Sequence, residues 1–249
     1  MRKTQIQLSD HFTYQKLLRF VLPSIVMMVF TSIYGVVDGL FVSNFAGKTP
    51  FAAINLVMPF IMVLGGIGFM IGTGGTALVS KVLGEGEPEK AKRYFTMMIL
   101  FTLLVGAVLT VFGVTMMEKV ARFLGATDEM LHDCVLYGRI VISFTAAFML
   151  QNVFQSFFVV AERPQLGLTV TVAAGLTNMT LDLLFVGILG FGLPGAAAAT
   201  VLSECLGGLA PMVYFFSRNT SLLHLGPTRF DGWALFQTCT NGASELMTN

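Results

Sequence analysis

The chain has 249 residues, of which 55% are hydrophobic and only 12% are charged. Soluble domains carry about 25% charged residues, so this composition excludes an ordinary water-soluble fold. The net charge is +1, from 15 basic and 14 acidic residues, which leaves no basic surplus for binding nucleic acid. Cys134, Cys205 and Cys239 are too widely spaced to indicate a zinc site or a disulfide framework.

Apolar segments long enough to cross a membrane dominate the chain. A helix needs about twenty apolar residues to cross the hydrocarbon core. Residues 1–16 are polar and lack a signal-peptide cleavage site, which predicts that the first apolar segment is retained as a span. We therefore expect an all-α membrane protein whose six-helix bundle occupies residues 17–216. The predicted spans are 17–42, 51–80, 94–117, 134–161, 165–191 and 194–216.

The connecting segments predict the orientation. Polar loops are expected at 43–50, 84–93, 118–133, 162–164, 192–195 and 217–229. Cytoplasmic loops are enriched in Lys and Arg. Eleven of the 15 basic residues lie on the side of the N-terminus, and the other four are Lys48, Lys119, Arg122 and Arg139. The N-terminus and the 217–229 loop are therefore predicted to be cytoplasmic.

The last segment, 230–249, begins like an amphipathic helix and then turns polar at TCTNGASELMTN. We interpret it as the start of a truncated seventh helix, so that the chain is a fragment or a split product of a longer protein.

Polar side chains inside the spans are the candidate functional residues. Ionisable groups in a bilayer cost several kcal/mol and by default mark ion or substrate paths. Counted from the outer ends of four different spans, Asp38 lies about 8 Å deep, Asp182 about 14 Å, Tyr137 about 5 Å and Thr200 about 9 Å. Asn178 precedes Asp182 by one helical turn and shares its face. These residues are predicted to line one internal cavity.

Plainer interpretations exist for each residue. Asp38 and Asp182 could reach headgroup water near the interfaces. Tyr137 could belong to the interfacial aromatic belt, with Arg139 as an anchor. Thr200, in an alanine-rich segment, could serve helix packing.

A third carboxylate, Glu204, falls near the middle of the sixth span. It could face a second lobe or pair with the fourth span, where Gln151, Asn152 and Gln155 form a polar stripe. We take all four as candidate cavity-lining residues.

The glycine-rich segment GGIGFMIGTGG (65–75) lies inside an apolar span and lacks the nucleotide-binding patterns. Gly68 and Gly72 form a GxxxG pair, which favours close helix packing.

Several motifs together resemble the multidrug and toxic compound extrusion (MATE) family. They are LRFVLPSIV with Pro23, DGLFVSNFAGKTPFAAINLVMPF with Asp38, YGRI at 137–140, and LTNMTLDLLFVGILGFGLPGAAAATVLSE with Asn178 and Asp182. The resemblance implies one lobe of a two-lobed, twelve-helix transporter in the bacterial inner (plasma) membrane, with Pro23 as a hinge.

The resemblance also implies a cation site made by Asp38, Asn178, Asp182, Tyr137 and Thr200, which takes H+ or Na+ and no other cofactor or metal. The implied function is multidrug efflux by cation antiport and not catalysis. The expected partners are small-molecule drugs or organic cations, membrane lipid, and a missing second lobe or a second copy.

Other functions remain open at this point. A flippase of lipid-linked precursors belongs to the same superfamily, but the spans hold almost no basic residues. An intramembrane aspartyl protease is disfavoured because neither Asp38 nor Asp182 lies in a GxGD motif. A fragment that does not transport without a second lobe is the remaining alternative.

Overall fold

The computed structural model describes residues 14–217 and 221–248, where the regular structure is helical throughout. The α-helices are α1 (Tyr14–Phe41), α2 (Lys48–Gly84), α3 (Pro88–Phe123), α4 (Asp128–Ile142), α5 (Thr145–Val160), α6 (Pro164–Asp182), α7 (Gly192–Phe216) and α8 (Gly232–Thr248). Two π-helical segments, π1 (Val42–Ala46) and π2 (Leu183–Ile188), continue α1 and α6.

Five of these helical segments are long and apolar enough to cross a membrane, and the bent pair α4–α5 makes a sixth. The prediction of an all-α bundle is therefore confirmed, and the number of spans is six when α4 and α5 are counted as one.

The fourth span is bent, whereas the sequence predicted a continuous helix over 134–161. The axes of α4 and α5 meet at 55°. The hydroxyls of Thr110 and Thr145 both donate to the carbonyl of Ile142, at 3.1 and 2.8 Å, and Ser143 donates to Arg139 at 2.6 Å. A carbonyl group released at a bend needs a partner within a membrane protein, and the two threonine hydroxyls supply it for Ile142.

The loop predicted at 118–133 is mostly helical. Helix α3 continues to Phe123 and α4 begins at Asp128, so the turn is short. Gly125 occupies this turn with a φ of 98°, a conformation that favours glycine. The prediction failed because hydropathy marks where a helix leaves the hydrocarbon, and polar helical turns continue beyond that point.

Glycines bring α2 close to α5. A β-carbon at Gly68 would lie 2.8 Å from Met149 Cα, and one at Gly72 would lie 3.1 Å from Val153 Cα. These distances leave no room for a side chain, which confirms the predicted packing role of the GxxxG pair.

Helix α8 packs along α2 in the same manner. Gly74 of α2 faces the backbone of Thr238, and Gly242 of α8 faces the backbone of Met70. The segment predicted as the beginning of a seventh helix is helical from Gly232, and its helix continues through the polar TCTNGASELMT residues.

The buried side chains form two clusters. The first, which we call the aromatic core, contains interlocking phenylalanines from three helices, including Phe95, Phe154, Phe157, Phe158 and Phe215. Phe95 contacts Phe157 and Phe215 edge-on with ring centroids 4.9 and 5.0 Å apart. It lies toward the end of the bundle that is predicted to be cytoplasmic.

The second cluster, the aliphatic core, lies toward the opposite end. It joins α2, α4 and α7 with residues of both π segments, including Val57, Ile142, Val186 and Ala197. Its side chains are smaller than those of the aromatic core.

An extended strap, residues 221–231, connects α7 to α8 over the aromatic core. Leu223 is buried within that core. Gly226 N–H donates to Thr96 Oγ1 (3.1 Å) and Thr228 Oγ1 donates to the Arg93 carbonyl (2.7 Å). The strap therefore ties the start of α8 to the start of α3.

Candidate functional site

Asp182 and Asn178 form the centre of the candidate site. Asp182 is the last residue of α6 and is 0% exposed, and Asn178 is 2% exposed. Their spacing of four residues puts both on one face of the helix. Among the described residues, Asn178 Oδ1 has no hydrogen-bond partner. A buried carboxyl and a buried amide oxygen therefore lie on one helix face inside the lobe, where neither side chain reaches the surface.

Both predicted aspartate positions are followed by π-helix. Segment π2 begins directly after Asp182, and π1 begins four residues after Asp38. The two π segments contact each other and α7. Single turns of π-helix are rare and occur frequently at functional sites.

Asp38 lies in α1, but its side chain is outside the described residues. The neighbouring backbone shows its level in the bundle. A β-carbon at Gly175 of α6 would lie 2.5 Å from the Phe30 ring and 3.5 Å from that of Tyr34. Asp38 follows Tyr34 by one helical turn, and Asn178 follows Gly175 by almost one. Since both helices lead from these contacts toward the contacting π segments, Asp38 is at the level of Asn178 and Asp182.

Tyr137 of α4 is 2% exposed and belongs to the aliphatic core together with Val42 of π1 and Val186 of π2. It points into the protein, which excludes the alternative that it sits in an interfacial aromatic belt. Arg139, two residues later, is exposed.

Thr200 of α7 is half-buried, and its hydroxyl donates to the carbonyl of Ala196 in its own helix at 3.1 Å. A hydroxyl oxygen that donates once keeps its capacity to accept. Helix α7 packs against α6 and both π segments, so Thr200 is on an element that adjoins the aspartates.

The polar stripe of α5 divides among three neighbours. Asn152 donates to the Gly65 carbonyl of α2 at 3.1 Å, and Gln155 donates to Thr171 Oγ1 of α6 at 3.3 Å. Gln151 packs against α7, where a β-carbon at Gly207 would lie 2.6 Å from its amide. Asn152 and Gln155 thus hold helices together, and their role as cavity-lining residues stays a prediction.

Glu204 of α7 is buried, with its Oε2 atom lacking a hydrogen-bond partner among the described residues. It precedes Gly207 by three residues, on the helix face that meets α5. The sequence left a second lobe and the fourth span as alternative neighbours of Glu204, and this position favours the fourth span.

The chemistry of the Asp182 site is that of oxygen ligands. A carboxyl, an amide oxygen and nearby hydroxyl groups suit a proton or a hard monovalent cation such as Na+. Within 14–217 and 221–248, no group of three or more His, Cys, Asp or Glu residues is arranged to hold a metal ion. Pro23 lies inside the continuous helix α1, where its role as a hinge stays a prediction.

Two features of the site were not predicted from the sequence. The π segments have no composition signal, because Val42–Ala46 and Leu183–Ile188 are ordinary apolar residues apart from Asn44 and Ser43. The bend beside Tyr137 depends on Thr110 of another helix, which could not be paired with Ile142 before the helices were packed.

Curated relatives are bacterial drug exporters by name. The chain is 25% identical over 220 residues to the multidrug export protein MepA of Staphylococcus haemolyticus, covering 87% of this chain and 49% of the relative. It is 24% identical over 220 residues to MepA of Staphylococcus saprophyticus, covering 87% and 49%. The chain therefore spans about half the length of these relatives.

Solved structures share the fold. A MATE structure in the bent conformation superimposes with a TM-score of 0.85 at 22% identity, covering 94% of this chain and 53% of that one. An outward-facing multidrug resistance MATE transporter gives 0.87 at 21% identity, covering 96% and 55%. The architecture is thus one lobe of a MATE-type structure.

The sequence model of the family described as MatE matches residues 23–184, which is more than half of the chain. This segment contains α2 to α6 and the aspartates at both π segments. The chain is a multi-pass membrane protein that belongs to the MATE family.

Proposed function

We propose that this chain is one lobe of a multidrug exporter that moves small-molecule drugs or organic cations outward in exchange for H+ or Na+. The observation that carries the proposal is the buried Asp182–Asn178 pair at the junction of α6 and π2. The multidrug export function named for the MepA relatives supports the choice of substrate class.

The coupling follows from the cost of burying charge. An ionised carboxylate at a fully buried position costs several kcal/mol unless a cation or proton neutralises it. A cation that enters from outside would neutralise Asp182 with the amide oxygen of Asn178 as a second ligand. Neutralisation lowers the cost of closing helices over the site, so binding favours one arrangement of α1 and α6 over the other.

The π segments are suited to convert this binding into movement. They continue α1 and α6 and contact each other and α7. A rearrangement of the irregular backbone after Asp182 would therefore be transmitted to α1 and α7, the helices next to the site.

Transport requires a second bundle. Alternating access works by rocking one repeat against another around a site near their interface. The chain spans about half the length of its relatives and forms one bundle. We infer that the other bundle is a second lobe or a second copy, and that this chain alone inserts into the membrane without exporting drugs.

The test is a drug-accumulation assay in cells that lack their own exporters. The 249-residue chain is compared with a fusion that adds the second lobe of a MATE transporter. Efflux is expected only from the fusion, and Asp182→Asn or Asp38→Asn should abolish it because each removes a titratable group at nearly constant volume. Glu129→Gln, at an exposed position on α4, is the matched control and should leave efflux unchanged.

Efflux by the chain alone at the level of the fusion would contradict the need for a second lobe and indicate a working homodimer. Unchanged efflux in both aspartate variants of the fusion would show that these carboxyls are structural.

A further inference from the structure

A second buried carboxyl of the lobe lies away from Asp182. Glu204 is 8% exposed, with its Oε2 atom buried and lacking a hydrogen-bond partner among the described residues. The only other side-chain oxygen in the same condition on α5 or α7 within the described chain is Oε1 of Gln151. Gln151 packs against Gly207, almost one helical turn beyond Glu204. Two unsatisfied acceptors therefore lie within about one helical turn of each other where α5 packs on α7.

The absence of a side chain at Gly207 lets the Gln151 amide pack directly against α7. A β-carbon there would lie 2.6 Å from Gln151 Oε1, and one at Gly208 would lie 2.6 Å from the Ala147 carbonyl. The helices approach closely within one turn of Glu204, on the face of α7 that meets α5.

Within the described part of the chain, the elements that pack against α7 bring no buried positive charge to Glu204. Helix α7 packs against α4, α5, α6 and both π segments. Helix α5 and the π segments contain no Asp, Glu, Lys, Arg or His, and α6 contributes the acidic Asp182. Helix α4 contributes the acidic Asp128, Glu129 and Asp133, the phenol of Tyr137 and the thiol of Cys134, and its basic His132 and Arg139 are both exposed. On α7 itself the neighbouring titratable group is the Cys205 thiol.

A carboxylate in this position would keep most of its desolvation cost, because among the described residues its Oε2 atom has no hydrogen-bond donor and no cation is buried beside it. A protonated carboxyl carries no charge, so it avoids this desolvation cost. Its O–H is also the hydrogen-bond donor that the Gln151 oxygen lacks. We propose that Glu204 and Gln151 form a second proton-binding site of this lobe, in which the protonated Glu204 carboxyl donates a hydrogen bond to Gln151 Oε1. The proton comes from water and returns to water when the site opens.

The location relates this site to the first one. Glu204 follows Thr200 by one helical turn on α7, at about 6 Å further along the axis. A proton-binding group there lies next to the Asp182 cluster toward the middle of the sixth span. The role of this proton in coupling rests on the proposed antiport, whereas its binding to Glu204 does not.

The experiment measures protonation without transport. Infrared spectra of the purified chain in detergent are recorded from acid to alkaline pH, and the carbonyl stretch of protonated carboxyl groups is followed. At neutral pH the wild-type chain should show such a band, and Glu204→Gln should remove the component of the band that belongs to Glu204, as seen in the difference spectrum of the two chains. Gln151→Leu should retain the band at a shifted frequency, because the hydrogen-bond acceptor is removed. Glu129→Gln is the control and should leave the band unchanged.

A neutral-pH spectrum of Glu204→Gln identical to wild type would overturn the proposal. Loss of the Glu204 component on adding Na+ at constant pH would also overturn it, because the Glu204 site would then take a metal cation. If Glu204→Gln does not fold, as judged by size exclusion and circular dichroism, an unshifted band in Gln151→Leu would still refute the pairing. Failure of the antiport proposal is separate, since it shows as unchanged efflux in Asp182→Asn while the Glu204 band persists.

Discussion

The two ends of the bundle are built by different packing. The aromatic core joins α3, α5 and α7 through phenylalanine rings and is covered by the strap, whose residues bond to α3. The aliphatic core at the other end contains smaller side chains, both π segments and the bend between α4 and α5. Asp182, Asn178 and Tyr137 belong to this second end.

The difference between the two ends suggests that the aromatic core keeps the lobe rigid, whereas the end that contains Asp182 is the part that rearranges. Large interlocking rings and backbone hydrogen bonds fix the helix ends near the strap. Irregular helix and buried polar groups lie at the other end, which is where the proposed antiport would need the helices to rearrange. We therefore expect perturbations of the aromatic core to affect stability and perturbations around Asp182 to affect transport.

The largest expected difference between the two ends of the bundle is in their labelling from outside the cell, because only one end faces the cytoplasm. Single cysteines at Lys48 and Thr127, both exposed and near the aliphatic core, should react with an impermeant reagent added outside cells. A cysteine at the exposed Glu87 should not react. The background is a chain without Cys134, Cys205 and Cys239, and the reverse labelling pattern would invert the orientation.

Removal of a ring from the aromatic core should be the most destabilising substitution. Phe215 is fully buried and its ring contacts Phe95, Phe154 and Phe158. Phe215→Ala should cost about 3 kcal/mol, the lower end of the range for buried phenylalanine, because lipid solvates the unfolded side chain. The change in the free energy of unfolding is measured by unfolding both chains in mixtures of a mild and a denaturing detergent.

The adjacent Phe216, which is 80% exposed, is the matched control, and Phe216→Ala should change the free energy of unfolding little. Equal losses in the two variants would show that the aromatic core is not specifically packed.

A smaller loss is expected where α2 meets α5. A side chain at Gly72 would clash with Ser156 Oγ at 2.9 Å and Val153 Cα at 3.1 Å. Gly72→Val should therefore destabilise the lobe by about 1–3 kcal/mol through overpacking. Gly84→Val in the same helix is the control, since nothing lies within 4 Å of its β-carbon position. The unfolding midpoint of Gly72→Val should be lower than that of Gly84→Val. Equal midpoints would contradict the prediction.

The smallest loss of stability is expected from a substitution at the end of the strap. Asp231 Oδ1 accepts hydrogen bonds from Trp233 N–H and Ala234 N–H, both at 3.1 Å, and so caps α8. Asp231→Ala should cost about 1 kcal/mol, the usual loss for an N-cap. Hydrogen bonds, first that from the Ala234 backbone, lower the pKa of Asp231. Because the folded-state pKa is the lower one, this stabilisation is present above the unfolded pKa of about 3.9 and is lost as the pH falls through the folded value.

Asp231→Asn is the informative comparison for the cap. Asparagine keeps the capping oxygen but cannot titrate, so its stability near neutral pH should be close to wild type while the acid dependence disappears. The same acid dependence in Asp231→Asn would assign it to another group.

The sequence alone determined the class of fold, and the candidate site residues it named stay predictions. Long apolar segments predict membrane helices because each span must satisfy its own backbone hydrogen bonds in lipid, whatever its neighbours are. The spacing of Asn178 and Asp182 likewise fixes a shared face, because helical periodicity is local. The packing role of Gly68 and Gly72 could be predicted for the same reason.

Tertiary packing decided what depends on several helices together. The bend after Ile142 requires the Thr110 hydroxyl of α3, and the burial of Tyr137 requires the π segments of two other helices. The stripe of Gln151, Asn152 and Gln155 looks uniform in sequence, yet its members contact α7, α2 and α6. Periodicity shows that residues share a face, but only the arrangement of neighbouring helices determines which groups that face meets. The sequence therefore left two alternatives for Glu204, a second lobe or the fourth span, and the packing of α7 on α5 favours the fourth span.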